Sequence, residues 1–162
     1  MAAYLGYGFV GLYMEDTIQV EEEPYFGYMR GALTCEELKE ADAYAEIFGI
    51  ELRPFIQTLA HLNQIVRYEE YQKIIDTDDI LLAEDPRTKT LLEHLIRTVS
   101  KNFSSKKINI GMDEAHMVGL GKYLDRHGYR NRQEIMQRHL EMVLSICKQY
   151  GFTVQMWSDI FF

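Results

Sequence analysis

Apolar positions in this chain alternate between a helical and an extended rhythm, and each helical stretch leads through a break into a short apolar run. Thr34 and Glu37 form a capping-box pattern in which each side chain satisfies an orphan amide,. Leu38, Ala41, Ala45 and Phe48 follow at helical spacing, and Gly49 stops the helix,. Residues 50–57 then read as a strand leading into Thr58-Leu59-Ala60-His61. A second helix starts with Asp85 as N-cap and Pro86 in its first turn,. Its stripe is Leu91, Leu92, Leu95, Ile96, Val99 and Phe103, and its strand is 107–112. A third helix begins at Asn131, with Glu134 three residues on, and continues through Ile135, Leu140, Val143, Leu144 and Cys147 to Gly151. Residues 152–157 form the next strand, tipped by Ser158-Asp159.

Ahead of these units, Gly8-Phe9-Val10-Gly11-Leu12-Tyr13-Met14 reads as another strand, tipped by Glu15-Asp16-Thr17. The order is therefore β-α-β-α-β-α-β, with all four strands parallel if the crossovers are right-handed. Residues 62–84 form a polar, partly helical insertion on a strand-to-helix connection,. Such a pattern suits a small open α/β sheet or a piece of an eight-stranded barrel, which takes about 250 residues. The chain opens almost directly in a strand and stops soon after another with no covering helix. The expectation is that residues 1–162 are one part of a single α/β domain, a partial TIM barrel incomplete at both ends. Strands at Gly8 and Phe152 would then carry unpaired edges, and Ile160-Phe161-Phe162 uncovered aromatic surface, which predicts self-association.

At 162 residues and 47% hydrophobic, the chain has the material for one sizeable core,. No apolar run approaches the roughly 20 residues of a membrane-spanning helix, and the N-terminal residues show no secretory signal. Cys35 and Cys147 lie in helix-like segments and read as free thiols of a reducing compartment, which implies a cytoplasmic location,. The net charge of −8 disfavours nucleic acid and anionic membranes as partners,. Glu21-Glu22-Glu23 and the group Asp76, Asp78 and Asp79 read as solvated loop charges, since neither has the spacing of a calcium loop,.

The strand tips hold the candidate chemistry. Collected in order they are Glu15 and Asp16, His61, Asp113 and Glu114, and Trp157. In a parallel barrel such tips converge on one mouth. A metal reading built on His61, Asp113 and His116 lacks any His-x-His or His-x-x-x-His spacing, so neither metal nor cofactor is expected, and His116 reads as a loop residue. As residue types alone, Trp157 suits a core position as well as a sugar platform, and His61 a structural hydrogen bond as well as a site role.

Gly111-Met112-Asp113-Glu114 resembles the Asp-Glu signature of family 20 glycoside hydrolases, the β-N-acetylhexosaminidases. Met156-Trp157-Ser158-Asp159 resembles that family's strand-five tryptophan segment, and Gln57-Thr58-Leu59-Ala60-His61 falls where it carries its strand-three histidine. Leu12-Tyr13-Met14-Glu15-Asp16-Thr17 is similar to its acidic strand-two tip. The resemblance spans nearly the whole chain and corresponds to barrel strands two to five with their helices. Leu59-Ala60-His61 replaces the Pro-Gly-His of many members, and Gly111-Met112 replaces Gly-Gly, which implies a divergent branch.

The resemblance implies an exo-acting hydrolase of terminal β-linked N-acetylglucosamine or N-acetylgalactosamine. In that family the substrate's own 2-acetamido oxygen is the nucleophile. Glu114 would be the acid and later the base, and Asp113 would orient the acetamido group. Trp157 would wall the sugar, and His61, Asp16 and Glu15 would line or support the pocket. An obstacle stands in the local geometry. Consecutive strand residues face opposite sides, so the strand must end near Asp113 for both carboxylates to serve one pocket. Other readings remain open: an inactive half-barrel or carbohydrate-binding scaffold, and a metal-dependent barrel hydrolase.

Overall fold

A computed structural model describes residues 1–159; the aromatic surface expected at Ile160-Phe161-Phe162 lies outside the described residues. The elements run β1 (Phe9–Glu15), α1 (Cys35–Ile47), β2 (Glu51–Ile56), α2 (Glu69–Gln72), β3 (Ile75–Thr77), β4 (Ile80–Leu81), α3 (Pro86–Asn102), β5 (Lys107–Asn109), α4 (Lys122–His127), α5 (Arg132–Gln149) and β6 (Thr153–Gln155). Four of the strands form one parallel sheet in the order β1-β2-β5-β6. Helices connect each neighbouring pair, as parallel pairing requires. All four C-terminal strand tips therefore lie at the same end of the sheet. Strands β3 and β4 form a separate antiparallel hairpin inside the predicted insertion.

The caps explain where the main helices begin. Thr34 Oγ1 accepts from Glu37 N while Glu37 Oε2 accepts from Thr34 N, closing the capping box. Asp85 and Asn131 each accept from an amide two residues on. Each such cap is worth about 1 kcal/mol. Helix α3 supplies the centre of the core: Leu91, Leu92, Leu95, Ile96 and Val99 are completely buried, and it packs against both α1 and α5. Burying each of those side chains contributes roughly 1.5–3 kcal/mol relative to exposure.

Several sequence expectations are corrected. In α1 only Leu38 of the predicted stripe is fully buried, while Ala41 and Phe48 are exposed. Asp42 turns inward instead, because its Oδ2 accepts from Ser104 N after α3. In α5 the buried set is Ile135, Met136, His139, Val143, Ile146 and Cys147, and Leu144 is exposed. The helix is rotated toward the face that lets His139 reach the Thr58 carbonyl. Two strands are shorter than expected, β5 ending at Asn109 and β6 at Gln155. Helix α4 stands between β5 and α5, in a stretch where the sequence pattern predicted no element.

The acidic clusters are not merely solvated. Glu23 is fully buried and receives a two-pronged contact from Arg87, with Tyr71 Oη donating at 3.1 Å and His94 Nδ1 at 2.8 Å. Asp76 is buried too; its carboxylate accepts from the amides of Gly119 (2.5 Å), Tyr123 (2.8 Å) and Gly121 (3.2 Å) at the start of α4. These two carboxylates pin the loops that follow β1 and β2. Cys35 and Cys147 are both free, and burial pushes the Cys147 thiol up to about 12. Among the described residues no helix is long and apolar enough to cross a membrane.

His139 makes stability depend on pH. Its Nε2 donates to the Thr58 carbonyl at 2.8 Å, and its Nδ1 is buried without a partner. Burial lowers its pKa from 6.5 to about 4. The unfolded chain therefore binds a proton at a pH where the folded chain does not. Stability is fully present above pH 6.5 and is lost as pH falls toward 4, by about 3 kcal/mol,. Glu51, held near 2 chiefly by its hydrogen bond from Arg53, loses its contribution only at lower pH. Urea midpoints measured from pH 7 to 4.5 should fall in the native protein and fall less in His139→Gln, which keeps an N–H donor but cannot take up the proton. Equal slopes in the two proteins would remove His139 as the cause.

Candidate functional site

The site is built around the end of β5. Asn109 Oδ1 accepts from Gly111 N at 2.8 Å, a side-chain turn that bends the chain out of the ladder,. Gly111, Met112 and Glu114 then all take positive φ, at 72°, 70° and 53°. Glycine is required at 111, because an added Cβ would lie 2.0 Å from Gln57 Oε1. The reversal removes the strand alternation. Asp113 and Glu114 can then line the same open cavity of about 420 Å³, together with Trp157, Ser158 and Asp159. The obstacle seen in the sequence is thus met by backbone geometry.

Each side chain has a support. Asp113 Oδ1 accepts from Gln57 Nε2 at 2.8 Å, and Gln57 is wholly buried at the tip of β2. Glu114 is held through its backbone, its N–H donating to Asp159 Oδ2 at 3.1 Å, while its side chain is two-thirds exposed. His61 Nε2 lies 3.2 Å from Asp113 Oδ2 and 3.6 Å from Glu114 Oε2, without hydrogen-bond alignment to either. The His61 backbone is fixed by Asp79, whose Oδ2 accepts its N–H at 3.0 Å. The Trp157 backbone N–H donates to the Gly111 carbonyl at 3.2 Å, and its ring meets Phe55 edge-on at 6.0 Å while leaving 43% of the residue exposed.

The four expected residues Asp113, Glu114, His61 and Trp157 therefore come together. Glu15 and Asp16 form a neighbouring group at the tip of β1, where Arg30 lies 3.3 Å from Asp16 Oδ1 and 3.6 Å from Glu15 Oε2. Asp16 is buried against this arginine. The link back to Asp113 passes through Tyr13, whose hydroxyl accepts from Gln57 Nε2 at 3.2 Å. Burial raises the Tyr13 pKa, so the hydroxyl stays protonated and neutral. His116 is an exposed loop residue. Among the described residues no group of three or more His, Cys, Asp or Glu is arranged to hold a metal ion.

Sequence reasoning gave no role to Gln57, Tyr13, Arg30 or Asp159. Gln57, Tyr13 and Asp159 sit inside the segments that carried the family resemblance, so position was a signal for those three, and Arg30 lies outside them. Four non-glycine residues near the sheet's C-terminal end, Glu15, His61, Met112 and Glu114, have φ between 49° and 70°. Strain of this kind costs of order 1–3 kcal/mol per residue and gathers where a structure over-determines a site.

No family model and no curated protein matches the sequence. Solved structures do match the fold. The family 20 (GH20) β-N-acetylhexosaminidase of Streptomyces coelicolor A3(2) superposes with a TM-score of 0.81 at 17% identity, covering 98% of this chain and 35% of that one. The GH20 exo-β-N-acetylglucosaminidase of Vibrio harveyi, solved with N-acetylglucosamine, gives 0.77 at 15% identity over 96% and 31%. The β-N-acetylhexosaminidase of Bacteroides fragilis NCTC 9343 gives 0.78 at 18% over 99% and 37%. The chain spans about a third of the length of each of these enzymes. It therefore resembles family 20 β-N-acetylhexosaminidases over nearly its whole length, and its parallel sheet and helices have the fold of part of their TIM-barrel catalytic domain.

Proposed function

We propose that this chain carries the acid and the acetamido-orienting carboxylate of an exo-β-N-acetylhexosaminidase acting on terminal β-linked N-acetylglucosamine or N-acetylgalactosamine. The observation that carries the reading is the cavity in which consecutive carboxylates, Asp113 and Glu114, meet the half-exposed ring of Trp157. The coverage of about a third of the matched enzymes supports reading the chain as one part of a larger catalytic domain.

In this reading Glu114 gives its proton to the glycosidic oxygen as the C1–O bond breaks. The substrate's 2-acetamido carbonyl oxygen bonds to C1 and an oxazolinium ion forms. Asp113 accepts the acetamido N–H and stabilises the positive charge that develops there. Glu114, now a carboxylate, takes a proton from water as that water attacks C1 and reopens the ring with retention. His61 lies beside both, with Nε2 3.2 Å from Asp113 Oδ2 and 3.6 Å from Glu114 Oε2, within reach of either as their charges change. Trp157 offers a flat apolar wall to the acetamido methyl. Support for a mobile acid beside a fixed anion comes from their surroundings: Glu114 is two-thirds exposed, whereas Asp113 is 22% exposed and bonded to Gln57.

Three outcomes test this reading. In the polypeptide that carries the complete catalytic domain, Glu114→Gln should lower turnover by roughly 10²–10⁴-fold. Activated aryl glycosides, whose leaving groups need little protonation, should lose less than natural disaccharides. Equal losses on both would remove Glu114 as the acid. Asp113→Asn should lower kcat far more than it raises KM, since it weakens the charged intermediate more than the ground state. A thiazoline inhibitor that mimics the bicyclic intermediate should weaken in parallel; undiminished inhibition would leave Asp113 a structural residue.

The third outcome concerns residues 1–162 alone. Among the described residues β1 and β6 each pair on one side only, and an apolar groove of about 340 Å³ lies beside β1, lined in part by Val10, Leu12, Ala45, Phe48 and Leu52. The isolated chain should self-associate and show no measurable hexosaminidase activity. A monodisperse, active monomer in sedimentation and aryl-glycoside assays would contradict it.

A further inference from the structure

Among the buried polar groups, Gln57 stands out because both donors of its amide and its oxygen are engaged by residues around the site. Nε2 donates to Asp113 Oδ1 at 2.8 Å and to the Tyr13 hydroxyl at 3.2 Å, and Oε1 accepts from Met112 N at 3.3 Å. The orientation of the amide follows from its partners. The Met112 N–H can only donate, so it requires the oxygen, and the NH₂ group is left to face the carboxylate. The reverse arrangement would set two donors against each other and an oxygen against an anion. The residue sits on the end of β2 with no exposed surface, and the missing Cβ of Gly111 is the space its Oε1 fills.

We propose that Gln57 is a positioning residue: its buried amide holds Asp113 in a single orientation and commits Oδ1 to accepting, so that Oδ2 alone is presented to the acetamido N–H. The inference rests on the hexosaminidase reading and deepens it by naming how its orienting carboxylate is aimed. A neutral donor is the chemistry this position needs. A carboxylate at 57 would face Asp113 Oδ1 at close range, and two anions cannot share that contact without a proton between them. An apolar side chain of the same length would leave Oδ1 desolvated and unpaired, free to rotate toward water. The same amide also grips the Met112 N–H, so it sets the backbone reversal and the carboxylate direction together.

Gln57→Met and Gln57→Glu, both close to the native side chain in length, test this in the complete catalytic domain. On an aryl N-acetyl-β-glucosaminide each should lower kcat roughly 10–100-fold, the penalty of a misplaced reacting group, while KM stays within about threefold. A thiazoline inhibitor should weaken with kcat. Crystal structures of both variants should show the Asp113 carboxylate turned from its native direction, with thermal midpoints confirming that each variant folds. Unchanged kcat in both variants overturns the proposal, and so does an unmoved Asp113 carboxylate in both, whatever the kinetics. If the native domain cleaves no N-acetylhexosaminide, the functional reading fails, and the crystallographic comparison still decides whether Gln57 aims Asp113.

Discussion

In an extended strand Asp113 and Glu114 would point to opposite faces of the sheet, and the whole site depends on how the chain escapes that alternation. The escape is local. Asn109 turns the backbone, Gly111 accepts a conformation and a contact that no other residue could, and Met112 is held by Gln57. Two of the positive φ values fall on residues with side chains, which the chain tolerates only because neighbouring strands hold them. Gln57 does this from β2, and from the far side the Trp157 backbone N–H donates to the Gly111 carbonyl and Asp159 receives the Glu114 backbone N–H. The reversal is thus sustained by both strands that flank β5.

Support reaches the loops by a different device. Glu23 and Asp76 are buried anions, and a buried charge is tolerated only with close partners. Glu23 has Arg87, Tyr71 and His94, which come from the insertion and from α3. Asp76 has three backbone amides at the start of α4. Removing one partner would leave a charge without compensation, so each cluster ties distant segments into one unit. Their consequence for the site is indirect but definite: the hairpin that contains Asp76 also carries Asp79, which fixes the His61 backbone.

Much of the scaffold was legible because it obeys local rules. Thr34, Asp85 and Asn131 announce helix starts through short-range hydrogen bonds, and the α3 stripe keeps a clean helical period. What escaped was set by long-range partners. Nothing local distinguishes Glu23 from Glu21, or Asp76 from Asp78; only the approach of Arg87, or of the amides at 119–123, decides which is buried. Leu144 is as apolar as Val143, yet the bond from His139 to Thr58 rotates α5 away from it. At the site, the residue types at the tips were readable from order and resemblance. Gln57 was not, because its role exists only once β2 and β5 stand side by side.

The open edges and the open cavity are one physical problem. Among the described residues β6, with Trp157 and Asp159 at its tip, pairs only with β5, while β1, with Glu15 and Asp16, pairs only with β2. A parallel sheet with uncovered edges leaves backbone donors and acceptors unpaired and apolar side chains wet. Any segment that pairs with β6 in parallel brings its own C-terminal tip alongside Trp157, and any that pairs with β1 brings one alongside Arg30. Closing the sheet and walling the cavity would therefore occur in the same step. On the proposed function, sugar binding and folding stability should be coupled through those two edges more strongly than through the core around α3, which is already dry and closed.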